Sequence, residues 1–303
     1  MENPIETESE EQEQEQSNSQ DSSTSSQDRH KWITEQDNLR EKLITADSFT
    51  WKLPTISQIG AEDLRFVGGV DISFSKDDPS IACGTLVVLD FRTLQVVFQD
   101  FSFVTLSVPY VAGFLAFREA PVLLDILEKM KRSDNPFYPQ LLMVDGNGIL
   151  HPRGKCSTLY WNTLHKQSCT IFFSITICFG LACHIGVMAN LPTVGIGKSL
   201  HHVDGLHHSR VRKLLEAKEN SSKDFIPLVG CSGQTWGVAM RSTQGSIKPI
   251  YISTGHRISL QTATAIVQMT CKYRIPEPIR QADIRSRDYI RKFEMNARLK
   301  QID

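Results

Sequence analysis

Three acidic residues lie in segments that otherwise have the composition of buried strands and helices. They are Asp71 in FVGGVDISF, Glu119 in PYVAGFLAFREAP and Asp145 in LLMVDGNGILHPRG. Ionised carboxylates are rarely buried unless they are paired or bind a metal. Mg²⁺ prefers a few carboxylate oxygens, retains several waters and accepts a substrate phosphate as a further ligand. The three acids therefore predict a Mg²⁺ site that acts on a phosphodiester.

Each acid also has an ordinary structural explanation. Alternation along a strand places Asp71 on its outward face, and Asp145 begins a DGNG run that favours a tight turn. The position of Glu119 depends on where its helix begins. If one helix covers 114–130, Glu119 lies on the buried stripe. If Pro121 instead stands in the first turn, where proline is tolerated, Glu119 lies near the N-cap.

Two basic residues follow apolar strands and are candidates for balancing charge or transferring a proton at such a site. They are Lys198 in TVGIGKSL and His256 in STGHRISL. For His256 the alternative is a polar strand end beside Arg257. The GKS triplet does not form a P-loop, because GxxxxGK[ST] requires glycine at a position that Pro192 occupies.

Aromatic and imidazole side chains accompany the acids and suggest a nucleic-acid substrate. Tyr110, between Pro109 and Val111, either stacks on a base or packs in the core. Stacking of a base on an aromatic ring contributes about 1–3 kcal/mol. Gly113 nearby favours the first alternative, and His151 lies in the HPRG run that ends the third acidic segment.

The order of predicted elements indicates the fold class. An amphipathic helix is followed by three β-rich runs in a meander, then by a helix, a short strand and alternating helices and strands. The predicted ranges are about 30–45, 65–74, 81–91, 95–106, 114–132, 141–145, 179–191, 192–197, 209–218, 235–241, 249–253 and 259–271. This order predicts an α/β, ribonuclease-H-like fold, with a mixed central sheet, an antiparallel three-strand meander and helices on both faces.

Composition divides the chain into three parts. Residues 1–29 are rich in Glu, Gln and Ser and are predicted to be disordered, because they cannot bury enough apolar surface. With nine acids and one base in 1–30, the 32 bases and 25 acids that remain give 31–303 a charge of about +7, which suits phosphate binding. A catalytic domain is expected over 30–286 and a charged tail over 287–303.

Seven cysteines are scattered along the chain without a CxxC pair, and the acidic N-terminus has no signal-peptide pattern. This predicts free thiols in a reducing compartment. We expect a cytoplasmic protein that is not secreted, with the nucleus and nucleolus as further candidate locations. Four cysteines between 156 and 183 lack the short spacings of a zinc site.

The quoted segments, together with FGLACHIG, TVGIGKSL and YRIPEPIRQAD, resemble the endonuclease V family in their order along 30–286. The resemblance implies a metal site and two residues that complete the catalytic centre. The implied metal ligands are Asp71, Glu119 and Asp145, and the residues that complete the centre are Lys198 and His256. The same resemblance implies Mg²⁺ as the cofactor, with Mn²⁺ as a substitute.

The resemblance also implies how a base is selected. Pro109 and Tyr110 match a wedge that separates the target base from its neighbours. Glycines of the family line a pocket for the extruded base, and they match Gly113, Gly146, Gly180 and Gly195. A glycine-lined pocket exposes backbone N–H and C=O groups that can read the edge of a base. His151 is expected to contact substrate from the same region.

The family recognises inosine and hydrolyses the second phosphodiester bond on its 3′ side, leaving 3′-hydroxyl and 5′-phosphate ends. Animal members favour single-stranded RNA. The implied function is therefore a Mg²⁺-dependent endonuclease that acts on inosine-containing single-stranded RNA, with deoxyinosine in DNA as a further candidate substrate. A monomer without a membrane partner is expected.

One segment departs from the family pattern. HPRG ends at Gly154 and FGLACHIG begins at Phe179, so 155–178 is interpreted as an insertion. Its CTIFFSITIC run is apolar and β-prone, which favours aggregation if it is exposed. The alternative function is a catalytically impaired inosine- or RNA-binding isoform whose pocket the insertion disrupts. The run 169–189 has the length of a membrane span, but its β-branched and polar content argues against one.

Overall fold

The computed structural model describes residues 26–54, 60, 62–152, 178–216, 225–243, 246 and 248–299. The predicted disorder of the acidic N-terminus therefore lies outside the described residues, except for its last four positions. Those positions form the first turn of a helix. The predicted insertion lies outside them too, except for Cys178, which forms an isolated β-bridge with Pro152.

Within the described residues, eight strands form one mixed sheet in the order β3-β2-β1-β4-β5-β8-β7-β6. Strands β1 to β3 form an antiparallel meander, and β1, β4 and β5 run parallel. On the other side of β5, the pairs β5–β8, β8–β7 and β7–β6 are all antiparallel. The strands are β1 Phe66–Phe74, β2 Ile81–Asp90, β3 Val96–Thr105, β4 Leu141–Asp145, β5 Thr193–Gly197, β6 Phe225–Val229, β7 Thr235–Met240 and β8 Ile250–His256. The sequence did not predict β6, a short edge strand with alternating burial.

Helices cover both faces of this sheet. They are α1 Ser26–Arg40, α2 Leu115–Arg132, α3 Leu181–Ala189, α4 His208–Glu216, α5 Leu260–Thr270 and α6 Glu277–Leu299. Helices α2 and α3 pack on one face around Val70 and Leu142, while α5 and the start of α6 pack on the other around Met143 and Ile252. The predicted ribonuclease-H-like α/β fold is confirmed.

The C-terminal segment, where a charged tail was predicted from residue 287, is helical and packs against the sheet. Helix α6 runs through that boundary to Leu299. Tyr289 stacks on Phe101 with ring centroids 4.7 Å apart, and Phe293 lies 4.1 Å from Phe103. The charges of the segment alternate with apolar side chains that pack on the meander.

The glycine pair before Asp71 explains how α6 approaches β1. A Cβ atom at Gly69 would lie 2.1 Å from the carbonyl oxygen of Pro278, so only glycine permits this contact. The sequence predicted a close backbone approach at this pair, and the structure shows that the approaching backbone belongs to α6. The contact places the middle of α6 beside Asp71.

None of the helices in the described ranges is long and apolar enough to cross a membrane. The uncharged run 169–189 has its first part outside those ranges, and its last nine residues form α3. Five of those nine side chains are wholly or almost wholly buried in the core: Leu181, Ala182, Cys183, His184 and Ile185.

Candidate active site

Three acidic side chains converge where the pairing of two central strands ends. Strands β1 and β4 are parallel and Val70 pairs with Val144, so the next residues, Asp71 and Asp145, lie side by side at the end of this pairing. Glu119 lies in the second turn of α2, which begins at Leu115 and continues through Pro121. The earlier of the two predicted helix starts is therefore correct, and Glu119 is buried.

Burial and mutual repulsion shift the protonation of two of these acids. Burial and then the charge of Asp145 raise the pKa of Asp71 to about 7, against hydrogen bonding from Ser286. Burial and then the charge of Asp71 raise the pKa of Glu119 to about 8, against the charge of Arg118. Burial therefore favours the protonated form of both acids, and the neighbouring carboxylates add to this effect.

Lys198 is the cation closest to the cluster. Its Nζ atom lies 2.5 Å from Oδ2 of Asp145, and the two side chains are 44% and 15% exposed. Burial lowers the pKa of Lys198, but the charge and hydrogen bond of Asp145 outweigh it, with smaller contributions from Asp71 and Asp283, and the net shift is upward. The ammonium group therefore stays charged and faces both the cluster and solvent.

Two residues of α6 belong to this site that sequence reasoning missed, Asp283 and Ser286. The charge of Asp283 raises the pKa of Asp71. The Oγ atom of Ser286 donates to Oδ2 of Asp71 at 3.0 Å and lies 2.7 Å from Oγ of Ser73. Asp283 is the last residue of the YRIPEPIRQAD segment, which resembles the family but was given no predicted role for this acid. The spacing of three between Asp283 and Ser286 could have identified them, because it places both residues on one face of a helix.

The donor set suits a hard divalent cation. In the described part of the chain, no three His, Cys, Asp or Glu side chains stand close enough to enclose an ion by themselves. Mg²⁺ does not need such a cage, because it retains waters and binds through one or two carboxylates and a phosphate. Burial, and after it the charge of neighbouring carboxylates, raises the pKa of Asp71 and of Glu119, and a bound cation would favour the ionised form of both.

His256, which was predicted to be part of the catalytic centre, does not lie beside this cluster. Strands β5 and β8 are antiparallel, with Thr193 paired to His256 and Gly197 paired to Tyr251. His256 therefore lies beside the first residue of β5, whereas Lys198 directly follows its last residue. His256 is buried there, and its Nδ1 accepts a hydrogen bond from the backbone N–H of Ile44 at 3.2 Å.

The predicted wedge lies on the loop that enters α2, on the same end of the helix as Glu119. Tyr110 is 39% exposed. Gly113 has φ of 86°, a conformation that favours glycine, and allows the turn into the helix. Trp32 of α1 stacks on Phe117 in the first turn of α2, with ring centroids 5.3 Å apart. Helix α1 thus braces the base of the loop.

The other predicted pocket glycines divide into two groups. A Cβ atom at Gly180 would lie 2.2 Å from the carbonyl oxygen of Asn147, and one at Gly195 would lie 2.2 Å from the nitrogen of Gly148. These two glycines face backbone that follows β4 and permit close packing. Gly146 has φ of 151° and more space around it.

Two polar atoms of the segment that follows β4 are buried without a hydrogen-bond partner among the described residues. They are Oδ1 of Asn147 and Nδ1 of His151. Burial, followed by the charge of His201, lowers the pKa of His151 to about 4, so its imidazole is neutral at physiological pH. Buried polar atoms normally have partners, and these two could contact a ligand.

The fold and the carboxylate cluster define an enzyme that hydrolyses phosphodiester bonds. The model of the endonuclease V family matches residues 48–156 and 176–284, and the break between them falls within the predicted insertion. The chain therefore belongs to the endonuclease V family and is a nuclease.

Individual relatives agree with this assignment. Mouse and human endonuclease V are each 42% identical to the chain over 262 residues. Each alignment covers 86% of this chain, and it covers 69% of the mouse protein and 83% of the human protein. The crystal structure of the human catalytic domain superposes with a TM-score of 0.76 at 39% identity, covering 89% of this chain and 98% of that one. A Ciona intestinalis endonuclease V, crystallised with DNA containing an inosine followed by a ribo-adenosine, has a TM-score of 0.71 at 28% identity, covering 89% and 100%.

Proposed function

We propose that the protein is a Mg²⁺-dependent endonuclease that recognises inosine, chiefly in single-stranded RNA, and hydrolyses the second phosphodiester bond on its 3′ side. The products carry 3′-hydroxyl and 5′-phosphate ends, and deoxyinosine in DNA is a further substrate. The observation that carries the proposal is the convergence of Asp71, Glu119 and Asp145 beside Lys198 in a member of this family. The inosine-containing DNA bound to the Ciona relative supports the choice of base.

In this proposal Asp71, Glu119 and Asp145 hold Mg²⁺, and Mn²⁺ can replace it. A bound divalent cation activates water and stabilises charge on the phosphate oxygens. Lys198, 2.5 Å from Asp145, adds a fixed positive charge beside the scissile phosphate. The hydrogen bond from Ser286 orients the carboxylate of Asp71.

Cation affinity should depend on pH, and the two raised pKa values determine whether it rises or falls as pH increases. Unfolded Asp and Glu lose their protons near pH 4, whereas Asp71 and Glu119 retain theirs to about pH 7 and pH 8. Between these values the folded state binds more protons, so without divalent cation stability should fall as pH rises from about 4 to 8. Cation affinity should rise over the upper part of that range, because binding displaces the protons.

Thermal unfolding measured from pH 5 to pH 9, with and without Mg²⁺, tests this expectation. The stabilisation by Mg²⁺ should be small at pH 5 and increase to about pH 8. Glu119→Gln, which is neutral at all pH values, should flatten the profile measured without cation. A Mg²⁺ stabilisation that is the same at pH 5 and pH 8 would contradict the assignment of these ligands.

Base recognition is assigned to the wedge loop and the loop after β4. Tyr110 stacks beside the site of the extruded base, and Pro109 fixes the direction of the ring. The neutral Nδ1 of His151 accepts a hydrogen bond, which suits inosine because its N1 carries a hydrogen that adenosine lacks. Gly113 and Gly146 allow the backbone to approach the base.

Replacement of Tyr110 by alanine should weaken inosine-RNA binding by roughly 1–3 kcal/mol, the contribution of one stacked base. Discrimination between inosine and adenosine strands should fall with it, while the Mg²⁺ concentration for half-maximal cleavage stays unchanged. Tyr110→Phe should retain the stacking, and Tyr273→Ala removes another exposed tyrosine as a control. If Tyr110→Ala binds both strands as the parent does, Tyr110 has a packing role only.

The site of cleavage provides a direct test of the proposed specificity. A 5′-labelled single-stranded RNA with one inosine should yield one product that ends one nucleotide beyond the inosine, with a 3′-hydroxyl. The matched adenosine strand should remain intact. Cleavage at other positions, or equal cleavage of both strands, would refute the proposal.

A second candidate function follows from the break in the family match at 157–175. In this alternative the insertion disrupts the base pocket, and the chain binds inosine RNA without cutting it. Either form is proposed to act as a monomer in the cytoplasm, with the nucleus and nucleolus as further locations.

A further inference from the structure

The guanidinium of Arg118 connects segments that are far apart in the sequence. Arg118 lies in the first turn of α2, directly before Glu119. Its Nη1 atom donates to the carbonyl oxygen of Val108 at 2.7 Å, and its Nη2 atom donates to that of Pro79 at 3.1 Å. The same group lies 5.3 Å from the centre of the Phe74 ring at the end of β1. One side chain therefore joins α2 to the turn between β1 and β2 and to the loop that precedes α2.

The turn between β1 and β2 is itself held by hydrogen bonds, so it is an ordered anchor for this contact. The Oδ1 atom of Asp78 accepts from the backbone N–H and from the Oγ of Ser80, at 2.9 and 2.7 Å. The backbone N–H of Leu106 donates to the carbonyl of Ser80 at 2.7 Å. Leu106 begins the wedge loop, residues 106–114. The turn therefore holds the wedge loop twice, directly at its first residue and through Arg118 two residues further on.

The second of these contacts lies immediately before the wedge. The carbonyl of Val108 belongs to the peptide bond that joins it to Pro109, so the hydrogen bond from Arg118 fixes the plane of that bond. The pyrrolidine ring then restricts φ of Pro109 to about −65°, and few backbone torsions remain free before Tyr110. The contact thus determines the direction in which the exposed tyrosine ring points.

The arrangement also links the wedge to the carboxylate cluster. Arg118 and Glu119 are consecutive residues of one helix, so the anchor of the wedge and a proposed metal ligand keep a fixed separation. A guanidinium suits this task because its planar set of donors reaches two carbonyls in fixed directions, whereas the ammonium of lysine is a compact charge on a flexible stem.

We propose that Arg118 is a positioning residue for base selection, which sets the place and direction of Tyr110 relative to the carboxylate cluster. Both Nη atoms donate to the protein's own backbone, so Arg118 acts through the wedge loop and does not read the base. The proposal rests on the proposed inosine-directed function and adds the residue that transmits the position of α2 to the wedge.

Amide hydrogen exchange of the wedge loop tests this contact without any substrate. The full chain is compared with Arg118→Lys, which retains the positive charge beside Glu119 but loses the planar pair of donors. Exchange in 106–114 should be several-fold faster in the variant, because local opening of the loop then costs less free energy. Exchange in β4 and β5 should stay at the parental rate. Arg118→Gln, which keeps one amide donor, is a second variant and should change exchange in the same direction.

Arg257→Lys is the matched control, because Arg257 also joins separate segments. Its Nε donates to the carbonyl of Ser48 at 2.8 Å, and its Nη1 donates to Oδ1 of Asn190 at 2.8 Å. It directly follows His256, which lies beside the first residue of β5 and not beside the cluster. The control should leave the exchange of 106–114 unchanged.

Binding of inosine and adenosine strands, measured without divalent cation, then tests the role in base selection. Arg118→Lys should lower the preference for the inosine strand several-fold. In the Tyr110→Ala background the same substitution should have no further effect, because the contribution of the ring is already lost. A role in general stability would instead act equally in both backgrounds.

The proposal is overturned if Arg118→Lys leaves the exchange of 106–114 at the parental rate, or if its effect on binding is the same with and without the Tyr110 ring. If exchange rises as expected but the parent binds inosine and adenosine strands equally, the proposed specificity is refuted, whereas the hold of Arg118 on the wedge loop is supported.

Discussion

Replacement of Asp145 by asparagine should lower the rate of inosine-strand cleavage by about a thousandfold or more, as is typical when a central catalytic group is removed. The substitution removes a proposed metal ligand and the ion-pair partner of Lys198. Asp71→Asn should have a similar effect, because Asp71 lies beside Asp145 where the parallel pairing of β1 and β4 ends. Binding of inosine RNA should persist in both variants, because the residues proposed to recognise the base lie elsewhere.

Single-turnover rates at saturating Mg²⁺ measure this effect separately from substrate binding. Asp125→Asn is the matched control, since Asp125 is an exposed acid on α2. The control should cut at the parental rate. Near-parental turnover by Asp145→Asn or Asp71→Asn would show that the carboxylate cluster does not hold the catalytic cation.

Deletion of residues 155–177 should increase both solubility and cleavage. Pro152 and Cys178 already pair across the segment, so its ends are adjacent and removal needs no change in the sheet. The deletion also removes most of the apolar CTIFFSITIC run, which favours aggregation when exposed. Gly180, three residues after the segment, packs on the loop of Asn147 and Gly148 beside the site. A misplacement of about 1 Å at a reacting group can cost roughly a hundredfold in rate.

The comparison should use purified full chain and deletion variant at equal folded concentration, with thermal unfolding as the check on folding. Retaining Cys178 keeps the bridge to Pro152. If the full chain cuts inosine RNA as fast as the deletion variant, the segment does not disturb the pocket, and the alternative of an impaired isoform is wrong.

The sequence predicted those parts of the site that depend on local pattern. Asp145 ends a buried apolar run, which identifies the end of a strand, and Asp71 alternates with apolar residues, which identifies a strand that contains it. The parallel pairing of β1 and β4 then brings the two acids together. Glu119 was ambiguous because Pro121 favours a helix start, whereas packing of Leu123 and Ile126 stabilises a longer helix around it.

Residues placed by long-range pairing could not be predicted in the same way. His256 and Lys198 have the same local pattern, but the antiparallel pairing of β5 with β8 places them at opposite ends. Asp283 and Ser286 reach the site only because α6 crosses β1 at Gly69, a contact between residues more than 200 positions apart. The charged composition of α6 suggested a tail, since its packed aromatic face is not evident without the meander.

Cleavage of a single-stranded RNA with one inosine, measured for four proteins with and without Mg²⁺, tests the central claim most directly. The proteins are the deletion variant lacking 155–177 and the same variant carrying Asp145→Asn, Asp71→Asn or His256→Gln. We predict Mg²⁺-dependent cleavage at the second 3′ phosphodiester by the deletion variant and by His256→Gln, provided that the latter folds, and none by the two aspartate variants. Cleavage that persists without divalent cation, or that survives the loss of Asp145, would contradict the claim.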